Sequence, residues 1–235
     1  MKTAQLTHTP AKPTSVKDLL PWDGKPSRGD KALIGLIFGV PAFYLATMPF
    51  RPFLIAKAPI LLEFVVGSKA AIGAAAAYAG VGQLPLWLVV VAGIVGMAKF
   101  DWMFWLAGRR WGERVLRTFA STPGQQKWVA RLRGMPSWAI GLLMIATCLP
   151  GVPAAIIWIL AGMSGMRLRT FLILDVISAA ILTGVVVFAG YQAGEAGVAI
   201  IQTIDSYALW IGLGIVVVMS IAAQIRAARR PKAQA

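Results

Sequence analysis

Charge is scarce in this chain, and histidine and cysteine are nearly absent. Only 14% of its 235 residues are charged, while 58% are apolar. Soluble domains carry about 25% charged residues, so no water-facing surface can be built from this mixture. The lone Cys148 excludes an internal disulfide and offers no cysteine cluster for a metal. The lone histidine, His8, lies in a polar stretch, so chemistry that needs a histidine inside a membrane is excluded. Residues 1–31 lack an apolar run. A signal peptide would place one near the start, so this stretch reads as a cytosolic tail.

What is abundant is apolar length and positive charge. The net charge is +14, and 19 of the 23 Lys and Arg fall in four clusters. Six lie in 1–31, seven in 109–133, two at Arg167 and Arg169, and four in 226–235. Basic flanks beside apolar spans are the positive-inside signal, which favours cytosolic faces touching anionic lipid over nucleic acid.

Four segments are long and apolar enough to cross a bilayer: 32–50, 86–108, 171–192 and 207–225. Two regions are not. Phe53 to Val66, then Gly67-Ser68, then Lys69 to Gly80 make two pieces too short for a core of about 30 Å. Ser137 to Leu149, the break Pro150-Gly151-Val152-Pro153, and Ala154 to Gly165 repeat the pattern. Each reads as a re-entrant hairpin, at about 52–81 and 136–166. Between them, 112–133 carries Val115, Leu116, Phe119, Trp128, Val129 and Leu132 at helical spacing among charges, the pattern of amphipathic helices on the membrane surface.

Charge placement then sets topology. With two hairpins and four spans, every basic cluster and both termini face the cytosol. Reading 68–81 as a span would put 109–133 outside, against the rule. The expected fold is therefore all-α and polytopic, a single transmembrane domain over 32–226 with basic tails at 1–31 and 227–235. Opposed hairpins in an inverted repeat are a transporter architecture.

The hairpin tips hold the candidate site. Ser68 suits an N-cap for a helix opening at Lys69, and Pro153 suits a first turn. Two helix N-termini meeting at depth attract an anion, with a lipid phosphate as the natural candidate. Candidate binding residues are Ser68, Lys69, Thr147, Pro150, Gly151 and Pro153. Glu63, Asp101, Arg109 and Asp175 form a candidate charge network for coupling or for holding spans together. Asp175 could pair with Lys69, Lys99 or Arg109, or carry a proton; Lys99 could snorkel to the surface. Gly162-Met163-Ser164-Gly165 has the form of an intramembrane serine protease motif, but no membrane histidine exists to serve as its base, so Ser164 reads as packing. No phosphate-binding loop and no metal-ligand spacing occurs; neither an enzyme nor a cofactor is expected.

Asp101-x-x-x-Trp105-x-x-Gly108-Arg109-x-x-Gly112 resembles a motif of the DedA family, the bacterial members of the VTT (SNARE-associated Golgi protein) superfamily. Gly82 upstream, Pro150, Ala161-Gly162-x-x-x-Met166 and Phe171 extend the resemblance over roughly residues 51–195. Four positions depart from it. Lys69 stands where the family has a glutamate, the two arginines around the second tip are missing, and Asp175 stands where asparagine is frequent. The resemblance implies a lipid scramblase or flippase of the bacterial cell membrane, serving undecaprenyl phosphate or phospholipids. The expected function is movement of an anionic lipid headgroup, with membrane lipids as partners and a homo-oligomer allowed. A proton- or ion-coupled transporter of a small solute and a non-transporting scaffold are the alternatives. A cavity open sideways to lipid separates the first from both.

Overall fold

The computed structural model describes residues 25–119, 126, 129, 132, 135–149 and 151–228. The tails at 1–24 and 229–235, Pro150 and most of 120–134 lie outside the described residues. Every element among the described residues is helical. Three stretches are long and apolar enough to cross a membrane: Arg28–Lys57, Leu86–Trp111 and Leu168–Ile221.

The first stretch is broken. Helix α1 (Arg28–Ala46) opens with a capping box in which Ser27 and Asp30 satisfy each other's backbone amides. It stops at Thr47, and a short 3-10 turn (Met48–Phe50) leads into α2 (Arg51–Lys57). The span expected at 32–50 thus ends in a break, and α2 carries the chain onward. Ala58 leaves the helical region (φ −148°, ψ 59°) because Pro59 crowds a helical residue before it and has no N–H to donate. The first hairpin arm, expected as one piece from Phe53, is therefore split here. Helix α3 (Pro59–Val66) ends at Gly67 in the left-handed region (φ 67°), where glycine escapes the Cβ penalty. Helix α4 (Lys69–Gly80) follows, capped by Ser68 Oγ, which accepts from the Ala71 amide at 3.4 Å.

The second stretch is α5 (Leu86–Ala98) and α6 (Trp102–Trp111), interrupted at 99–101. Helix α7 (Glu113–Phe119) follows, then α8 (Ser137–Ile145), a 3-10 turn (Ala146–Cys148) and α9 (Ala154–Met163). The last element, α10 (Leu168–Ala228), passes through a non-helical Gly194 (φ 43°, ψ −122°). Its contacts show the chain turning back there. Before Gly194, Gly190 lies on Gly73; Gly194 itself meets Gly80; after it, Gly197 lies on Ala77 and Gly212 on Pro49. The two expected spans at 171–192 and 207–225 are thus the two legs of α10, separated by one glycine instead of a loop.

Small residues let these backbones touch, as membrane helices require in place of a hydrophobic driving force. A Cβ at Gly108 would overlap the Ile159 carbonyl, and one at Gly162 the Trp105 carbonyl, so α6 and α9 meet backbone to backbone. Gly67 and Gly96 do the same for the first tip and α5. Val115, Leu116, Val129 and Leu132 are buried in one cluster with α6, α8 and α9. The amphipathic stretch expected to lie on the bilayer therefore turns this apolar stripe onto the protein. Large apolar side chains such as Phe38, Trp87, Trp138, Phe188, Trp210 and Val218 are exposed around the outside, as a lipid-facing surface requires.

Gly108→Ala should lower the melting temperature in detergent, because overpacking a close backbone contact costs about 1–3 kcal/mol. Gly35→Ala, which meets nothing within 4 Å, should leave it in place or raise it. Equal melting temperatures for both variants would contradict the packing.

Candidate functional site

The breaks in the helices converge. The interruption at 47–50, the first tip at Gly67, the interruption at 99–101 and the 3-10 turn before the second tip all border one cavity of about 530 Å³. Gly96 to Asp101 lies near the middle of the 26-residue stretch Leu86–Trp111, so the cavity sits at mid-length of that span.

Each interrupted end is closed by a side chain. Thr47 Oγ1 and Arg51 Nη2 both donate to the Tyr44 carbonyl, at 2.8 and 2.9 Å, finishing α1. Lys99 Nζ donates to the Val65 carbonyl at 2.7 Å and to the Phe64 carbonyl, finishing α3. A cation belongs at a helix C-terminus, where the free carbonyls carry partial negative charge. The same ammonium lies 5.4 Å from the Phe64 ring centre and 5.3 Å from that of Phe100. Lys99 therefore does not snorkel; it ties the first tip to the α5–α6 break. On the second side, Thr147 Oγ1 donates to the Met144 carbonyl at 2.6 Å and lies 3.0 Å from Ser178 Oγ of α10.

The expected site residues separate into those on the cavity and those away from it. Lys69, Thr147, Asp101 and Asp175 line it. Lys69 is exposed and makes no ion pair among the described residues, so the proposed pairing with Asp175 is not formed. Ser68 caps α4 from just behind the wall. Gly151 (φ 89°) and Pro153 shape the second turn without lining the cavity, where Ala154 does. Pro150 lies outside the described residues.

The charge network is not one network. Asp101 and Asp175 come together on the cavity wall, within electrostatic reach of each other. Arg109 lies apart, its guanidinium 5.4 Å from the Trp105 ring centre. Glu63 is fully buried on α3, off the cavity, with neither carboxyl oxygen bonded among the described residues.

Sequence reasoning missed Arg51, Tyr44 and Trp158, which also line the cavity. A signal for Arg51 was present: it is the one charge between Ala32 and Ala56. Tyr44 stands within electrostatic reach of both Arg51 and Asp101. Trp158 packs on Phe104 with ring centres 5.6 Å apart and planes tilted by 34°. Nothing in its spacing distinguishes it from a packing residue.

The cavity wall thus carries two cations, Arg51 and Lys69, and two carboxyl groups, Asp101 and Asp175. The VTT domain family model matches residues 70–192, just over half of the 235. The chain belongs to the VTT domain family, the domain of the DedA and SNARE-associated Golgi proteins. No curated protein and no solved structure matches it. The matched segment contains Asp101, Thr147 and Asp175, whereas the two cavity cations, Arg51 and Lys69, lie before it.

Lys99→Met should cost about 2 kcal/mol of stability, the worth of hydrogen bonds from a charged donor. Lys99→Arg should retain most of it. Thermal unfolding in detergent checks both, and a Lys99→Met protein as stable as wild type would remove the tie from the account.

Proposed function

We propose that the protein moves a phosphate-bearing lipid headgroup, of an anionic phospholipid or a polyprenyl phosphate, across the bilayer without altering it chemically. The observation that carries this reading is the cavity where interrupted helices meet at mid-span. Arg51 and Lys69 would receive the phosphate there, with the α4 N-terminus adding free amides.

Sparse packing of α1 beside the cavity supports lipid over a closed solute pocket. Helix α1 packs mainly on α6 and on the 3-10 turn, and its flank toward α8 and α10 lacks comparable packing. Leu45 and Met48, on the α1 side of the cavity, are 51% and 39% exposed. Acyl chains would remain in lipid beside this exposed side of α1 while the headgroup sits inside.

On this reading α3–α4 and α8–α9 are re-entrant hairpins entering from opposite faces. The full crossings are α1–α2, α5–α6 and the two legs of α10, in a bacterial cell membrane with both termini cytosolic. The gathering of basic residues at 1–31, 109–133 and 226–235 supports that orientation.

Two measurements test the proposal. In liposomes, wild-type protein should speed the exchange of acyl-labelled phospholipids or polyprenyl phosphate between leaflets. Well-folded Lys69→Glu should slow it at least tenfold, and Lys69→Arg should keep part of the rate. Wild-type rates in Lys69→Glu would end the role of this tip. For topology, single cysteines in a Cys148→Ser background should label from outside at Gln83 and not at Lys127. External labelling at Lys127 in intact cells would contradict the two-hairpin arrangement.

A further inference from the structure

Helix α1 has a proline inside it, Pro41, and the halves on either side are held very differently. Proline has no N–H, so the Ile37 carbonyl lacks its donor four residues on, and a helix bends most easily at such a point. From Tyr44 onward the chain is clamped. The Tyr44 carbonyl accepts from Thr47 Oγ1 and Arg51 Nη2, and its ring centre lies 6.4 Å from that of Phe100. A Cβ on Gly212 would meet the Pro49 carbonyl at 2.8 Å, so the 3-10 turn sits directly on the second leg of α10. Lys57 Nζ pairs with Asp205 Oδ2 of the same leg at 2.9 Å.

The half before Pro41 has few such holds. Of residues 28–40, only Leu33 and Ile37 are buried. Gly35 and Gly39 would meet nothing within 4 Å if given a Cβ, and Phe38 is 64% exposed. At the far end one carboxylate makes the fastening. Asp30 Oδ1 accepts from Trp111 Nε1 at 3.1 Å and from Arg110 Nη1 at 3.4 Å, both in the last turn of α6. Its Oδ2 serves the capping box with Ser27, so the same side chain opens α1 and ties it to α6. Between tie and proline, Ile37 and Val40 line the cavity. A permanent wall would be packed along its length, as α6 is against α9 at Gly108 and Gly162.

We propose that residues 28–40 are a gate: they pivot at Pro41 when the Asp30 tie releases, and part the seam between α1 and α6 from the Asp30 end down to the cavity at Ile37. The gate rests on the lipid-moving reading for its purpose, since it supplies the sideways path by which a headgroup enters while its acyl chains stay in the bilayer. The base does not have to move, because the Gly212 contact and the Lys57–Asp205 pair both lie beyond the pivot. Asp30 stands at the end of a lever of about 16 Å, at 1.5 Å per residue. A further bend of about 20° at the proline, an ordinary size for such a kink, carries it about 6 Å from Trp111.

The test uses the full chain in lipid nanodiscs, with Cys148→Ser and spin labels at Ala32→Cys on the gate and Thr170→Cys on α10. Both positions are exposed. With the tie intact, one distance should dominate. Asp30→Ala should raise a second, displaced distance about tenfold in proportion, the effect of one charge-assisted hydrogen bond. Trp111→Phe, which leaves the capping box whole, should raise the same distance to a smaller extent. Adding Pro41→Ala to Asp30→Ala should remove it, and Asp205→Ala, which loosens only the base, should not produce it. All variants are checked for folding by size exclusion. Unchanged distances in Asp30→Ala and Trp111→Phe would overturn the gate, and a second distance that survives Pro41→Ala would overturn the pivot. For the route, Asp30→Cys and Trp111→Cys joined by a short bis-maleimide should bring lipid exchange in liposomes down to the protein-free rate, while the unlinked pair exchanges lipid at least as fast as wild type. Full exchange by the linked protein would overturn the gate and leave the lipid-moving reading standing. No exchange by wild-type protein would overturn that reading, and the distances would still decide whether the gate opens.

Discussion

A helix that stops inside a bilayer leaves carbonyls or amides with no water to bond, at several kcal/mol for each one left open. This chain stops helices repeatedly around one level, and side chains close the ends. Arg51 and Thr47 finish α1, Lys99 finishes α3, Ser68 opens α4, and Thr147 bonds back onto the end of α8. Close glycine contacts exclude solvent and lipid where the first tip meets α5 and where α6 meets α9. Without those closures the breaks could not persist at depth, and there would be no cavity.

The closures also decide what the cavity can hold. A cation is the natural cap for a C-terminal helix end, so the fold brings Arg51 and Lys99 to this level for reasons of backbone chemistry. Lys99 is used up between two carbonyls and two aromatic rings. Among the described residues Arg51 Nε–H has no partner and Lys69 makes no ion pair. Asp101 and Asp175 bring carboxyl groups to the same cavity. Structural capping and ligand recognition thus share residues, which makes Arg51 harder to replace than a residue serving either purpose alone.

Composition, charge clusters and helix-breaking residues were enough to read the broad fold. Gly67-Ser68 marks the break between α3 and α4, and Gly151 to Pro153 the turn before α9, because glycine and proline act locally, whatever packs around them. The break at 47–50 was harder to read, since Met48 and Phe50 continue the apolar run and Pro49 is tolerated in membrane helices. The single reversal at Gly194 was hidden by the helix formers on both sides. In the site, the approach of Asp101 to Asp175 joins residues 74 positions apart by number, and no local pattern announces it. The expected link from Asp101 to Arg109 followed sequence proximity, but one helical face sends Arg109 to Trp105 and away from the cavity. The apolar stripe at 112–133 was legible as a stripe; whether protein or lipid covers it depends on α8 and α9, which sequence spacing does not encode.

The central claim is that the lipid headgroup passes through this cavity, and the chain's only cysteine gives direct access to it. Cys148 lines the wall beside Thr147 and is free. Attaching a bulky thiol reagent there in proteoliposomes, with lipid exchange measured before and after, tests the path itself. The account predicts that exchange falls to the protein-free rate in the modified wild type, while the same reagent does not change the rate of a Cys148→Ala protein. Full exchange with Cys148 quantitatively modified would contradict it.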